Sequence, residues 1–434
     1  MSIRLDIVPE WESLRYGTPE ERACFAAVGI RYGSVWLTEV YDDFVKRVRE
    51  KAHLSAYRLA EWFAWNWWRL RWEPRTDAAD WAAAHRLTTV GGGYVWPNVE
   101  IVSDGERAVL RARPTQSRPE EPLRYVVDFA AIVRAGELES ALDGFVDLVV
   151  EKLRSEGIGD TNLHHVWGDV RAERADPEMA RRRKIEALLG FDPDEADGSV
   201  IDSLIADASV LGEGAMDEVA ANRAQTGRAV TAGWLREVAE ASGFVSSPRD
   251  SVRLAPGVGA SPTGEMPAWK RGVELADALR EQERLGTAPI SNSRLAQMAG
   301  VQEKAIADAG RAGGDFAFAL DEGEAEGRVV LSSKWGQGRR FELARLVGDR
   351  IGGGDGKERL LPATKSGTYR QKFQRAFAAE LLCPFDTLED RLAGDYSGEA
   401  IEDAAGHFEV SSLAVRTILV NHKRLDRENI GAVF

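Results

Sequence analysis

The stretch from Ser55 to Pro74, SAYRLAEWFAWNWWRLRWEP, limits the possible folds more than any other part of this chain. Six of the thirteen tryptophans fall between Trp62 and Trp81. Read as one helix, it has Ser55 as N-cap and Pro74 as its stop. Leu59, Trp62, Phe63 and Leu70 then form one stripe, and Trp65, Trp68 and Trp72 form another. A helix that is apolar on two faces belongs at the centre of a domain. Trp62, Trp65 and Trp68 are therefore expected to be mostly buried. The competing use of such a surface is an aromatic platform for bases or a partner.

The flanking segments supply the rest of a first domain. Leu37, Val40, Phe44 and Val48 stand at helical spacing and predict a helix over Val35–His53. Past Gly91–Gly93, apolar residues alternate, and Val99–Arg113 reads as a β-hairpin turning at Asp104–Gly105. The three glycines are read as a turn, because no Lys-Ser/Thr follows them and no G-x-G-x-x-G is present. Leu123–Val133 reads as a further strand and Leu138–Gly157 as an amphipathic helix. The adjacent His164 and His165 point in different directions on any helix and are read as structural, despite Asp169 one turn on. The run Arg181–Lys184 reads as a solvated face.

Residues 176–245 read as helical, with Gly190 ending one helix and Asp192–Pro193 turning the chain. Ser246–Pro267 is rich in Ser, Pro and Gly and reads as the linker. The expected organisation is an N-terminal α+β domain over 1–175, a helical segment over 176–245, a linker over 246–267 and a second domain over 268–434. The fold class expected is α+β, predominantly helical.

Composition narrows the setting. The formal net charge of −14 argues against a general nucleic-acid coat. No run approaches the roughly 18 apolar residues that span a bilayer, and the first residues lack a secretory apolar region. Cys24 and Cys383 are too few for a disulfide scaffold or zinc knuckle. These features together read as a cytoplasmic protein without a membrane partner.

In the second domain, Arg340–Ile351 reads RFELARLVGDRI. FAAELLCP follows at Phe377–Pro384, and then Phe408, Val410, Ser411, Ala414 and Val415 appear in a helical segment. Two helices, Pro267–Arg280 and Pro289–Val301, lead in. In this order the motifs resemble the C-terminal domain of ImmA/IrrE-type zinc metallopeptidases. In that family the first helix carries R-F-x-L-A-H-E-x-G-H, and a later Glu supplies the third ligand. Arg340, Phe341, Leu343, Ala344 and Gly348 keep the frame. The resemblance places the ligand histidines at Arg345 and Asp349, the general base at Leu346 and the third ligand at Gln371.

Those side chains cannot perform the family's chemistry. Arginine has no lone pair to give a metal. Leu346 cannot move a proton, and Gln371 offers only a neutral carbonyl oxygen. Asp349 alone falls short of the three protein ligands a catalytic zinc needs. The resemblance therefore implies a zincin-like helical domain with a vacated metal site or binding groove at Arg345, Leu346, Asp349 and Gln371. No catalytic residue, metal or cofactor is expected. Either the Arg345 guanidinium forks between Asp349 and Gln371, or both charges are solvated; the residues leave both open.

The function expected from the resemblance is that of an inactive pseudo-peptidase. It would act as a protein-binding regulator, sensor or scaffold in anti-phage defence or mobile-element control, its partner a repressor-like or phage protein. The alternative is a DNA-binding regulator. Ile401–Leu419 has the rhythm of a helix-turn-helix, with Arg416, Lys423 and Arg424 as contacts. An enzyme site in the N-terminal part finds no constellation to support it.

Overall fold

The computed structural model describes residues 4–115, 122–223, 227–256, 264–353 and 358–426. The chain is mixed α and β, and it divides into two compact units, Met1–Ile201 and Asp202–Phe434.

In the first unit, strands β1 (Leu5–Trp11), β2 (Phe25–Tyr32) and β3 (Val35–Trp36) form an antiparallel sheet. Strands β4 (Val40–Asp42) and β5 (Arg47–Arg49) follow, and β6 (Ala52–Ser55) returns to pair with β2. The helix expected over Val35–His53 is thus four short strands. Its four apolar residues do not share a face, since Leu37 and Val40 are buried while Phe44 and Val48 are exposed. Local turn chemistry overrides the helical spacing. The Asp42 carboxylate accepts the amides of Phe44 and Val45, and Lys46 takes φ 52°, so the chain reverses and Tyr41 faces Val48.

Ser55 caps the tryptophan helix as expected, accepting the amide of Arg58 at 3.2 Å. The helix nevertheless comes in two pieces, α1 (Ala56–Trp65) and α2 (Trp67–Trp72). Asn66 ends the first, its side-chain amide donating to the Trp62 carbonyl at 2.8 Å. The break rephases the stripes. Trp62, Trp67 and Trp68 are buried, whereas Trp65 is 56% exposed, against expectation. The buried indoles each donate a hydrogen bond, to the Ala83 carbonyl, Asp143 and Glu173 respectively.

The hairpin forms as read, from β7 (Val99–Ser103) and β8 (Arg107–Ala112), with Asp104 accepting the amide of Arg107 and Gly105 at φ 96°. The single strand expected over Leu123–Val133 is instead two. β9 (Leu123–Tyr125) joins β4, and β10 (Phe129–Arg134) joins β8. Helices α3 (Ala135–Ser155), α4 (Asn162–Ala175) and α5 (Pro177–Leu188) complete the unit. Arg183, read as solvated, is buried in ion pairs with Glu173, Glu186 and Asp194.

The chain divides within the helix Gly198–Leu211 rather than at Ser246–Pro267. Phe244–Ser246, which spans the end of the segment read as helical and the first linker residue, is a strand (β11) in the second unit's sheet. That unit is not helical alone. It holds an antiparallel sheet in the order β11, β13 (Gly327–Val330), β12 (Ala317–Asp321), β14 (Leu360–Ala363). Such short strands leave too little alternation to be read from sequence. The unit's helices include α6 (Glu213–Ala221), α7 (Ala268–Gln282), α8 (Gly336–Gly352) and α9 (Tyr369–Leu382). Helices α10 (Phe385–Leu392), α11 (Gly398–Phe408) and α12 (Ser412–Asn421) close it.

Helices α8 and α9 meet at Gly348, where an added Cβ would stand 2.5 Å from Cδ1 of Phe377. The Phe377 ring is fully buried and has no room to yield. Gly348→Ala is expected to destabilise the protein by about 1–3 kcal/mol through overpacking, measurable as a lowered urea midpoint.

Candidate functional site

Helix α8 contains the expected Arg340–Ile351 segment, and α9 contains Phe377–Leu382. Arg340 of the expected frame has a structural role. The buried Arg340 donates to the Ile290 carbonyl at 2.7 Å and lies 3.1 Å from the Glu409 carboxylate, tying the start of α8 to two other segments. Its neighbour Arg339 donates from Nε and Nη2 to the Ala305 carbonyl.

The four residues of the expected vacated site lie together and are all buried: Arg345, Leu346, Asp349 and Gln371. One arm of the expected fork exists. Arg345 Nη2 donates to Gln371 Oε1 at 2.5 Å, to the Thr364 carbonyl at 2.6 Å and to Gln374 Oε1 at 3.2 Å. The other arm does not. Asp349 takes a two-point bond from Arg370, Nε to Oδ1 and Nη2 to Oδ2, each 2.7 Å. Arg370 then reaches Glu358 through Nη1 at 2.6 Å. Helix α9 places both partners at its first turn, where Thr368 caps it.

The centre is closed by acceptors and carboxylates from several elements. Pro362 has no N–H, so it suits the outer edge of β14. Its carbonyl accepts the side-chain amides of Gln371 and Gln374, each at 2.9 Å. Glu218 of α6 accepts the Thr368 hydroxyl at 2.6 Å, and Glu358 accepts the Ala215 amide at 2.9 Å. Arg375 donates from both Nη1 and Nη2 to the Ser366 carbonyl at 3.1 Å. Arg370, Glu218, Glu358 and Arg375 carry no motif of their own. The available clue was phase, since Arg370 stands in helical register with the apolar Phe373 and Phe377.

The charges here sit in unlike environments. Burial, and then the like charge of Arg375, pushes the Arg345 guanidinium down to about 9. Burial likewise lowers Arg375 to about 10. At Arg370 burial works against the charge, yet Asp349 and Glu358 hold it above its ordinary value. Burial raises Glu218 to about 7 against the opposing pull of Arg370 and the Thr368 hydrogen bond. Elsewhere in the unit, burial also raises Glu380 to about 7.

A carboxyl raised on folding is stabilising in its protonated form. That contribution is complete below the ordinary 4.5 and is lost as pH climbs toward about 7. Unfolding midpoints in urea should therefore fall between those pH values. Glu218→Gln, which keeps an acceptor for Thr368, should flatten the curve by up to about 3 kcal/mol. An unchanged pH profile in that variant would disprove the assignment.

Helices α11 and α12 do form, with Glu409 turning the chain at φ 54°. Arg424, however, pairs with Glu389 and lies over the Phe385 ring, on which His422 also stacks at 3.5 Å. Arg416 is half-buried and Lys423 is exposed. Glu399, Glu402 and Asp403 lie on α11, and Glu409 is its C-cap. In the first unit, His164 bonds Thr161 and His165 bonds Asp160.

Among the described residues, no group of three His, Cys, Asp or Glu side chains converges as a metal site. No helix among them is long and apolar enough to cross a membrane. No protein-family model, curated protein or solved structure matches the chain.

Proposed function

We propose that this chain is a non-catalytic ImmA/IrrE-like protein that acts by binding a protein partner. The observation carrying this reading is Arg345. Where the resembling peptidases place a ligand histidine, this chain has a buried guanidinium committed to Gln371, Gln374 and the Thr364 carbonyl. A cation with no lone pair repels a metal ion and cannot ligate it. Leu346, one residue on, is buried and has no proton to transfer. The polar centre thus serves as an internal brace, and partner contacts are assigned to the surface around it. A repressor-like or phage-derived partner follows from the family analogy.

Metal analysis and a binding assay test this together. The purified protein is expected to hold no stoichiometric zinc. It is expected to bind a helix-turn-helix repressor from its host without cutting it. One equivalent of zinc, or cleavage of the repressor that Arg345→Ala abolishes, would overturn the reading.

A further inference from the structure

The sheet of β7, β8 and β10 turns one face to the first unit's core, through Ile101, Leu110 and Ala131 among others. The residues one step along each strand point the other way. There Val102, Val109 and Ile132 are direct cross-strand partners, so they form an apolar row across three strands. Val102 and Val109 are half-buried, and Ile132 is 45% exposed. A sheet with one face on the core normally turns polar residues outward. This row departs from that pattern.

Arginine borders the row on both sides. On one side Arg107 and Arg134 are cross-strand partners. Like charges set directly opposite cost stability, and an anion placed between them relieves that cost. On the other side Arg111 is the partner of Glu100, the sole acid among the outward strand positions. Glu100 already accepts Arg75 at 2.7 Å and Arg86 at 3.0 Å. The turn adds Asp104 and Glu106, and Asp104 Oδ1 accepts the amides of Glu106 and Arg107. These five arginines and three acids leave a local cationic excess in a chain of net charge −14.

The borders of the sheet do not invite an added strand. The Tyr32 hydroxyl donates to the Ile132 carbonyl on β10 at 3.1 Å, and Arg86 bridges to Glu100 beside β7. The face itself fits a helix. Neighbouring strands stand about 4.8 Å apart, and a helix rises about 5.4 Å per turn. A helix lying across the strands can therefore set one apolar residue on each of Val102, Val109 and Ile132. The arginines lie two residues away along the strands, about 7 Å, within reach of residues flanking such a stripe. None of the outward strand positions is aromatic, which leaves nucleic-acid bases no ring to stack on. We propose that this face binds an amphipathic helix of a partner protein, its apolar stripe bordered by Glu or Asp. The surface lies wholly in the first unit and is independent of the peptidase resemblance.

The probe is a synthetic helical peptide of about 18 residues, with one leucine per turn and glutamate on both sides of that stripe. Its fluorescence anisotropy, titrated with the full chain, should rise saturably, and the affinity should fall as salt is added. The same peptide with lysine for each glutamate should not bind. Ile132→Glu and Arg134→Glu change exposed side chains and should leave the melting temperature in place. Each should weaken the acidic peptide about tenfold or more. No saturable rise, equal binding of the lysine peptide, or undiminished binding by either folded variant would each overturn the assignment. Displacement of the peptide by a duplex DNA oligonucleotide would do so as well, because it would assign the arginines to phosphate.

Discussion

Replacing Arg370 with alanine is expected to destabilise the second unit by about 3–5 kcal/mol, the range for breaking a buried ion pair from one side. The reason is what remains. Asp349 and Glu358 are both held by this one guanidinium, the first buried and the second with only a tenth of its side chain exposed. Arg345→Met should cost less, about 1–3 kcal/mol, because the groups it leaves behind are the neutral acceptors Gln371 Oε1, Gln374 Oε1 and the Thr364 carbonyl rather than carboxylates. Arg345 has no ion pair, its Nε has no partner, and its charge is depressed by burial and by Arg375. Urea unfolding of the two variants reads the contrast directly. Equal losses at both positions would refute the division of the cluster into a paired and an unpaired arginine.

In the first unit, Trp68→Ala should cost about 3–5 kcal/mol. The ring is buried edge-on against Trp67, with centroids 4.9 Å apart, and its indole N–H donates to Glu173 at 2.8 Å. Truncation removes the ring and leaves that carboxylate with one donor fewer. Trp65→Ala, three residues earlier, should stay within about 0.5 kcal/mol, as exposed substitutions usually do. Thermal melts of the pair settle whether Trp65 belongs to the core. A large loss at Trp65 would mean that its exposed face is covered in solution.

The contrast between these tryptophans marks how far sequence reaches here. Ser55, Asp104–Gly105 and the Arg340–Ile351 helix were legible because each depends on neighbours within a few residues. The meeting of Arg345 with Gln371 was one of two arrangements that the residues left open. Asn66 was not, because a single polar residue inside an apolar run gives no sign that it will bond back to Trp62 and shift the phase of everything after it. Val35–His53 misled because helical spacing coincided with turns built by Asp42 and Lys46. Arg370 was overlooked beside Gln371, since nothing in one sequence says that Asp349 will turn to it rather than to Arg345. The sheet of the second unit was hidden by the brevity of its strands.

The outer edge of β14 has a bearing on how this protein keeps company. A strand at the rim of a sheet normally offers its carbonyls and amides to any extended peptide that drifts past, including another copy of itself. Here the Pro362 carbonyl is occupied twice and the Thr364 carbonyl is bonded to Arg345, while proline lacks the amide that a visitor would seek. That rim is sealed from within. Recruitment by lengthening the sheet is therefore closed at this border, and so is the first step of fibre growth from it.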